Sequence, residues 1–342
     1  MSDKVDLLSL TAGEMEEFIV SLGEAKFRAK QVYEWVVKGN DIPEMTNLSA
    51  SLRAKLAQHA YVSRVTTVVH QKSKDGTEKF LFAFPDGQNS ECVLMRYHHG
   101  NSACISTQIG CRMGCAFCAS TRGGLIRDLT PGEMLAEIYG IMRESGERVS
   151  SIVLMGTGEP LDNMDNVEKF ISLITAEKGL NLGARHISLS TCGLCPKIDM
   201  LADKKLQITL SVSLHAPNNK KRDQIMPVNK AYPVEELMKS CKRYFDVTGR
   251  RISFEYAMIR GFNDTRADAI ELANLLRNMH AHVNLIPLNY VKESPFMPST
   301  REDVDAFCEE LGKRNINVTV RRRLGSDIDA ACGQLRANQN KG

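Results

Sequence analysis

From about residue 101 the chain alternates short apolar runs with longer amphipathic ones, and this rhythm restricts the fold more than any other feature. The apolar, strand-like runs are SACIST (102–107), SIVLMG (151–156), HISLST (186–191), ITLSVSLH (208–215), ISFEYAMI (252–259) and VNLIPLN (283–289). Amphipathic runs with helical spacing separate them. The clearest is 131–144, with Thr130 as its cap, Pro131 at the first position and Glu133 closing a capping box. Two more lie at 265–279 and 302–315, and a further strand-like run, NVTVRRR, follows at 317–323. Strands alternating with helices predict a parallel sheet with helices outside it. Six such units predict an α/β fold, a partial (β/α)6 barrel of TIM-like type. An open doubly wound sheet is the alternative.

The first 98 residues break this rhythm. Residues 1–60 read as a helical accessory domain. Thr11 and Glu14 form a capping box ahead of Met15, Phe18, Ile19 and Leu22, and further helices are expected near 26–38 and 51–59. Lys26, Arg28, Lys30 and Lys38 line the polar side of the second, as either a solvated face or a face for RNA phosphate. Residues 61–98 carry β-favouring runs around the turn dipeptides Asp75-Gly76 and Asp86-Gly87, which predicts a small β-hairpin extension. Residues 99–335 form the barrel core in this division, and 336–342 a flexible tail.

Hydrophobic residues make up 43% and charged residues 25%, a globular rather than disordered balance. No apolar run reaches membrane-spanning length, and the first residues lack a signal-peptide pattern, so a cytoplasmic monomer with no membrane contact is expected. The chain has 10 cysteines. Cytosolic thiols stay reduced unless they bind metal or do chemistry. The net charge of +3 neither demands nor excludes a nucleic-acid partner.

Three of the cysteines, Cys111, Cys115 and Cys118, are spaced C-x3-C-x2-C in the loop after the first barrel strand. Three thiolates can hold three irons of a [4Fe–4S] cluster and leave the fourth iron open to S-adenosylmethionine (SAM). Phe117 is placed to shield such a cluster, and Gly110 and Gly114 to let the backbone wrap closely. A structural zinc site is the alternative, with Cys104, His98 or His99 as fourth ligand.

Barrel active sites gather at the C-terminal ends of the strands. The second strand ends in Gly156–Pro160, where Gly158 permits close backbone approach and Glu159 offers a carboxylate to SAM. The third ends in Ser190-Thr191-Cys192-Gly193, the fourth in Ser213-Leu214-His215 and the sixth in Asn289. Gly158, Glu159, Ser190, Ser213, Leu214, His215 and Asn289 are therefore the candidate cofactor-binding residues.

Two further cysteines complete a pattern. Cys104 stands just ahead of the cluster motif in SACISTQIGC, and Cys332 near the C-terminus in SDIDAACGQL. With GEPL, SLHAPN (213–218) and RDQIMPVN (222–229), these segments resemble the RlmN/Cfr family of radical SAM RNA adenine methyltransferases over nearly the whole chain. Pro160 after Glu159, and Ser190-Thr191 in the third-strand loop, resemble the RlmN branch. Thr157, where the family often has methionine, and the extra pair Cys192 and Cys195, read as two small buried thiols, depart from the pattern.

The resemblance implies methylation of carbon 2 of adenine in the peptidyl-transferase region of 23S rRNA, with tRNA as a second candidate substrate. It implies a [4Fe–4S] cluster, SAM, and an electron donor such as flavodoxin or ferredoxin. In this chemistry Cys332 carries the methyl group, and a radical derived from a second SAM activates it toward adenine. Cys104 resolves the adduct through a disulfide, and Glu91 accepts the proton from carbon 2. The adenine must be unstacked to react. Arg321, Arg322, Arg323, Lys220, Lys221 and Arg222 are candidate phosphate contacts. A Cfr-type carbon 8 methyltransferase, a radical SAM maturase acting on protein and a zinc-stabilised RNA-binding module are the competing readings. Cys241 and Cys308, on apolar helix faces, read as structural.

Overall fold

The structure is a computed structural model, and it describes residues 4–288, 295–322, 324, 325, 327 and 328. A ten-stranded sheet forms its frame. Two short strands, β1 (Val5–Asp6) and β2 (Ala60–Tyr61), pair in parallel and close the N-terminal helices α1 (Ala12–Ser21), α2 (Phe27–Val36) and α3 (Ala50–His59) into one unit. The Thr11–Glu14 capping box forms as the sequence predicts. On α2 and α1, Lys30 pairs with Glu34 and Lys26 with Glu16 at exposed positions.

The β region does not stand apart as a separate sheet. Strands β3 (Thr66–Lys72), β4 (Glu78–Ala83) and β5 (Asn89–Tyr97) run antiparallel, and β5 pairs with β6 (Gly100–Cys104), the first barrel strand. The cysteine loop is bracketed by β7 (Gln108–Gly110) and β8 (Leu125–Asp128), a two-stranded antiparallel pair. Beyond α4 (Pro131–Ser145), β9 (Ser151–Leu154) returns beside β6 in parallel. The units then follow in order: α5 (Met164–Thr175), β10 (Ile187–Thr191), α6 (Cys195–Lys204), β11 (Thr209–Ser213), α7 (Asn219–Ile225), α8 (Val234–Thr248), β12 (Ile252–Met258), α9 (Arg266–Leu275), β13 (Ala281–Pro287), α10 (Arg301–Gly312) and β14 (Asn317–Val320). Strands β9 to β14 are successive parallel neighbours, so the partial barrel holds, and the open doubly wound alternative, whose strand order would reverse, does not.

Alternation along each strand separates core from interior. On β12, Phe254 and Tyr256 are fully buried under the outer helices, while Ser253, Glu255 and Ala257 take the opposite face. On β5, Ser90 and Cys92 face α4, and Glu91, Val93 and Met95 face inward.

The α4 side holds one buried carboxyl, Glu137. Its Oε2 accepts the Ser106 N–H at 3.0 Å, and its Oε1 has no hydrogen-bond partner among the described residues. Burial pushes its pKa up from 4.5 to about 8. A raised carboxyl pKa makes the folded state lose stability as pH rises from the unfolded value toward the folded one, with a flat profile above. The full shift corresponds to roughly 5 kcal/mol. Glu137→Gln removes this ionisation, so its advantage over wild type in urea unfolding should grow from pH 5 to pH 8. Parallel pH profiles for the two proteins would refute the assignment.

Candidate active site

One cavity of about 370 Å³ opens at the C-terminal ends of the parallel strands. Cys104 from β6, Met155 after β9, Ser190 and Thr191 from β10, Ser213 from β11, Ala257 from β12, Pro287 from β13 and Arg321 after β14 all border it. The C-terminal strand ends thus share one cavity.

The cysteine loop covers one side of the cavity, and Cys111, Cys115 and Cys118 all line it. The Cys111 N–H donates to the Gly124 carbonyl (3.0 Å) and the Cys118 N–H to the Cys115 carbonyl (3.0 Å), so the loop turns back on itself between β7 and β8. Gly110 makes the turn possible: its φ is +80°, and a Cβ there would fall 2.0 Å from the Gly124 oxygen. Burial pushes the Cys111 thiol up to about 11 and that of Cys115 up to about 12. These thiols ionise only when a cationic centre offsets that burial. Among the described residues no three His, Cys, Asp or Glu side chains converge closely enough for a single metal ion. A four-iron cluster suits such a set, because each thiolate then meets a different iron. Among the described residues the single-zinc reading finds no tetrahedral set.

Glu159 is buried and borders the cavity, but its carboxylate is already engaged. Oε1 accepts the Leu161 N–H (3.0 Å) and Oε2 the Cys192 N–H (2.7 Å), while its own N–H donates to Gln108 Oε1 (2.9 Å). It thus ties the β9 and β10 loops together as well as facing the ligand space. Gly158 lies at φ +115°, and a Cβ there would fall 2.7 Å from the Gln108 side chain.

His215 stands edge-on to Phe117, with ring centroids 4.8 Å apart. Its Nδ1 accepts the Ala257 N–H at 2.9 Å, so Nε2 carries the ring proton. Burial and the neighbouring Arg222 cation push its pKa down to about 3, which leaves the ring neutral. Leu214 is fully buried in the core and does not border the cavity; its carbonyl accepts from Arg222 Nε at 3.1 Å. Asn289 and Cys332 lie outside the described residues.

Cys104 is 5% exposed and packs with Val93 and Met95, and Leu324 joins this small cluster from the C-terminal segment. That segment is held by the β3–β4 turn. The Gly325 N–H donates to Asp75 Oδ2 (2.8 Å), and Asp327 accepts from the Lys74 N–H (3.1 Å) and from Ser73 Oγ. Glu91 shares the inward face of β5 with Val93 and Met95. It is paired at 2.9 Å with Lys79, itself fully buried, and does not border the cavity directly.

Two readings of the sequence need correction. Arg222 is fully buried, so it cannot meet an RNA phosphate. Lys221 is ion-paired with Asp268, which leaves Lys220 exposed in that run. Arg321 and Arg322 do reach the cavity mouth, whereas Arg323 lies outside the described residues. Cys192 and Cys195 are both buried and free, and Cys192 borders the cavity.

Sequence reasoning missed Lys79 and Glu255. Glu255 borders the cavity from β12, where Asn284 Nδ2 donates to it at 2.7 Å, and burial raises its pKa. Both were signalled by a charge at an inward position of an otherwise apolar strand.

Comparison with known proteins agrees with this geometry. A family model described as the radical SAM superfamily matches residues 105–273, and one described as the N-terminal domain of a ribosomal RNA large-subunit methyltransferase matches residues 5–62. The chain is 54% identical to a probable dual-specificity RNA methyltransferase RlmN of Desulforamulus reducens, covering 98% of this chain and 97% of the relative. It is 52% identical to the protein so described in Lachnoclostridium phytofermentans, covering 98% and 95%. A crystal structure of a radical SAM methyltransferase from Sphaerobacter thermophilus superposes with a TM-score of 0.92 at 43% identity, covering 96% of this chain and 98% of that one.

Proposed function

We propose, since this chain belongs to the RlmN family of radical SAM methyltransferases, that it methylates carbon 2 of adenine in 23S rRNA and in tRNA. It is an enzyme of the radical SAM RNA methyltransferase class. The observation that carries the finer reading is Cys104. Its thiol borders the same cavity as the three cluster cysteines, and the C-terminal segment that leads to Cys332 packs against its cluster. A second active thiol would be idle in a plain cluster enzyme.

Cys111, Cys115 and Cys118 would hold a [4Fe–4S] cluster, with SAM beside it against Gly158, Glu159, Ser190, Ser213 and His215. When bound, this pair supplies the radical that activates a methyl group otherwise inert toward carbon 2. The remaining work falls to the chain. His215 Nε2–H is a fixed donor for the ligand. Cys332 carries the methyl as a thioether. Glu91, paired with Lys79 on the inward side of the β4–β5 strands, is the carboxylate assigned to take the carbon 2 proton. The Cys104 thiolate then attacks the Cys332 sulfur: an S–S bond forms, the S–C bond breaks, its electron pair goes to the methylene carbon on adenine, and a proton from solvent completes the methyl group. Arg321 and Arg322 meet phosphate at the cavity mouth, and a one-electron donor such as flavodoxin or ferredoxin serves the cluster. No described helix is long and apolar enough to cross a membrane.

The test is nucleoside analysis of 23S rRNA and tRNA treated anaerobically with the reconstituted enzyme, SAM and reductant. The expected product is 2-methyladenosine in both. An 8-methyladenosine product would move the enzyme to the carbon 8 chemistry, and unmodified RNA would overturn the reading.

A further inference from the structure

Arg222 is unusual among the buried cations. It is fully buried on α7, and its guanidinium meets only neutral oxygens. Nε donates to the Leu214 carbonyl (3.1 Å), Nη1 to Asn229 Oδ1 (3.0 Å), and Nη2 to the carbonyls of Cys192 (2.6 Å) and Ser213 (3.1 Å). Its neighbour Lys221 has Asp268, and buried Lys79 has Glu91. Arg222 has no carboxylate within ion-pair distance among the described residues. A buried charge without a counter-charge costs several kcal/mol, and carbonyl dipoles offset only part of that.

The missing negative charge has an obvious source. Cys192, whose carbonyl holds Nη2, packs in one small cluster with Cys115, Met113 and Phe117. The loop carrying Cys115 is also tied to Arg222's own helix, because the Ala116 N–H donates to the Ile225 carbonyl at 2.9 Å. Three cysteine thiolates outweigh the positive charge of a four-iron core, and each added electron makes the site more negative. Arg222 is fully buried, so solvent screens its charge less than it would a surface cation.

We propose that Arg222 is the buried counter-charge of the iron–sulfur cluster and raises its reduction potential. The inference rests on the cluster reading of Cys111, Cys115 and Cys118. In the step concerned, a one-electron donor is oxidised and the cluster is reduced, while Arg222 keeps all its bonds and protons. A mere staple between the β10 and β11 loops would use the same hydrogen bonds but leave the potential alone.

The experiment is an anaerobic reductive titration of the reconstituted holoenzyme, followed by the spin resonance of the reduced cluster. Iron and sulfide content of the wild type decides the cluster reading first and independently. In Arg222→Gln the reduced-to-oxidised ratio at a fixed potential should fall about tenfold, a shift of about 59 mV for one electron. Arg222→Lys keeps the charge but loses most of the hydrogen bonds, so its midpoint should stay near wild type even as its melting temperature drops. A loaded Arg222→Gln enzyme with an unchanged midpoint, or equal shifts in the Lys and Gln variants, would overturn the proposal. Should Arg222→Gln fail to retain its cluster, Asn229→Asp carries the decision. It places a carboxylate on Nη1 while Arg222 remains, and its midpoint should shift in the same negative direction; an unmoved midpoint there overturns the proposal as well.

Discussion

Replacing any one of Cys111, Cys115 or Cys118 with Ala should leave a folded protein that holds little iron and forms no methylated adenine. The fold should survive because these side chains sit in a loop outside the parallel strands, and Cys115 and Cys118 are only partly buried. Truncating such a thiol costs about 1 kcal/mol at most, well within the stability of a domain of this size. The cluster, by contrast, has no spare ligand among the described residues. The next cysteine bordering the cavity, Cys192, is locked by its main chain, its N–H on Glu159 and its carbonyl on Arg222. Cys104 stands in a separate apolar cluster with Val93 and Met95. A cluster held by two thiolates is exposed on two irons and is lost to exchange and oxidation. Iron and sulfide analysis, circular dichroism and product assay on the three single variants check this together. A variant with wild-type iron and turnover would remove that cysteine from the ligand set.

The barrel was legible in the sequence because its strands read as short apolar-rich runs spaced by amphipathic helical ones. The Thr11 and Thr130 caps fixed where two helices begin. The antiparallel strands were legible too, through their Asp-Gly turns, but not their attachment to β6. That attachment depends on Val93 facing Cys104 and Met95 facing Ser102, a register no local pattern encodes. The β7–β8 pair escaped because Gln108–Gly110 is too short to show a period. At the site, strand ends located the rim, since polar residues recur there at matching positions. They could not separate Arg222 from its neighbours Lys220 and Lys221, because three adjacent basic residues look alike until one turn of α7 points them in different directions. Nor could spacing show that Glu159 would spend both carboxylate oxygens on main-chain amides.

The two remaining cysteines test the mechanism rather than the scaffold. Cys332→Ala should assemble its cluster and cleave SAM reductively, yet place no methyl on itself or on RNA. Cys104→Ala should part from it sharply. Its cluster is intact, because Cys104 packs on β6 among Val93, Met95 and Leu324 rather than in the cysteine loop. Cys332 still accepts the methyl and still becomes bonded to adenine. What is missing is the thiolate that attacks the Cys332 sulfur and breaks the S–C bond. The expected product is RNA joined covalently to protein, stable to denaturation and released by nuclease, with turnover reduced to a single event. Two simpler roles forecast otherwise. A core residue would cost about 1 kcal/mol of stability and leave turnover intact. A fourth metal ligand would lower the iron content and give no adduct. A denaturing gel of Cys104→Ala, run after anaerobic incubation with SAM, reductant and RNA, separates the three. An adduct in Cys104→Ala that disappears when Cys332→Ala is added to it would assign both thiols at once.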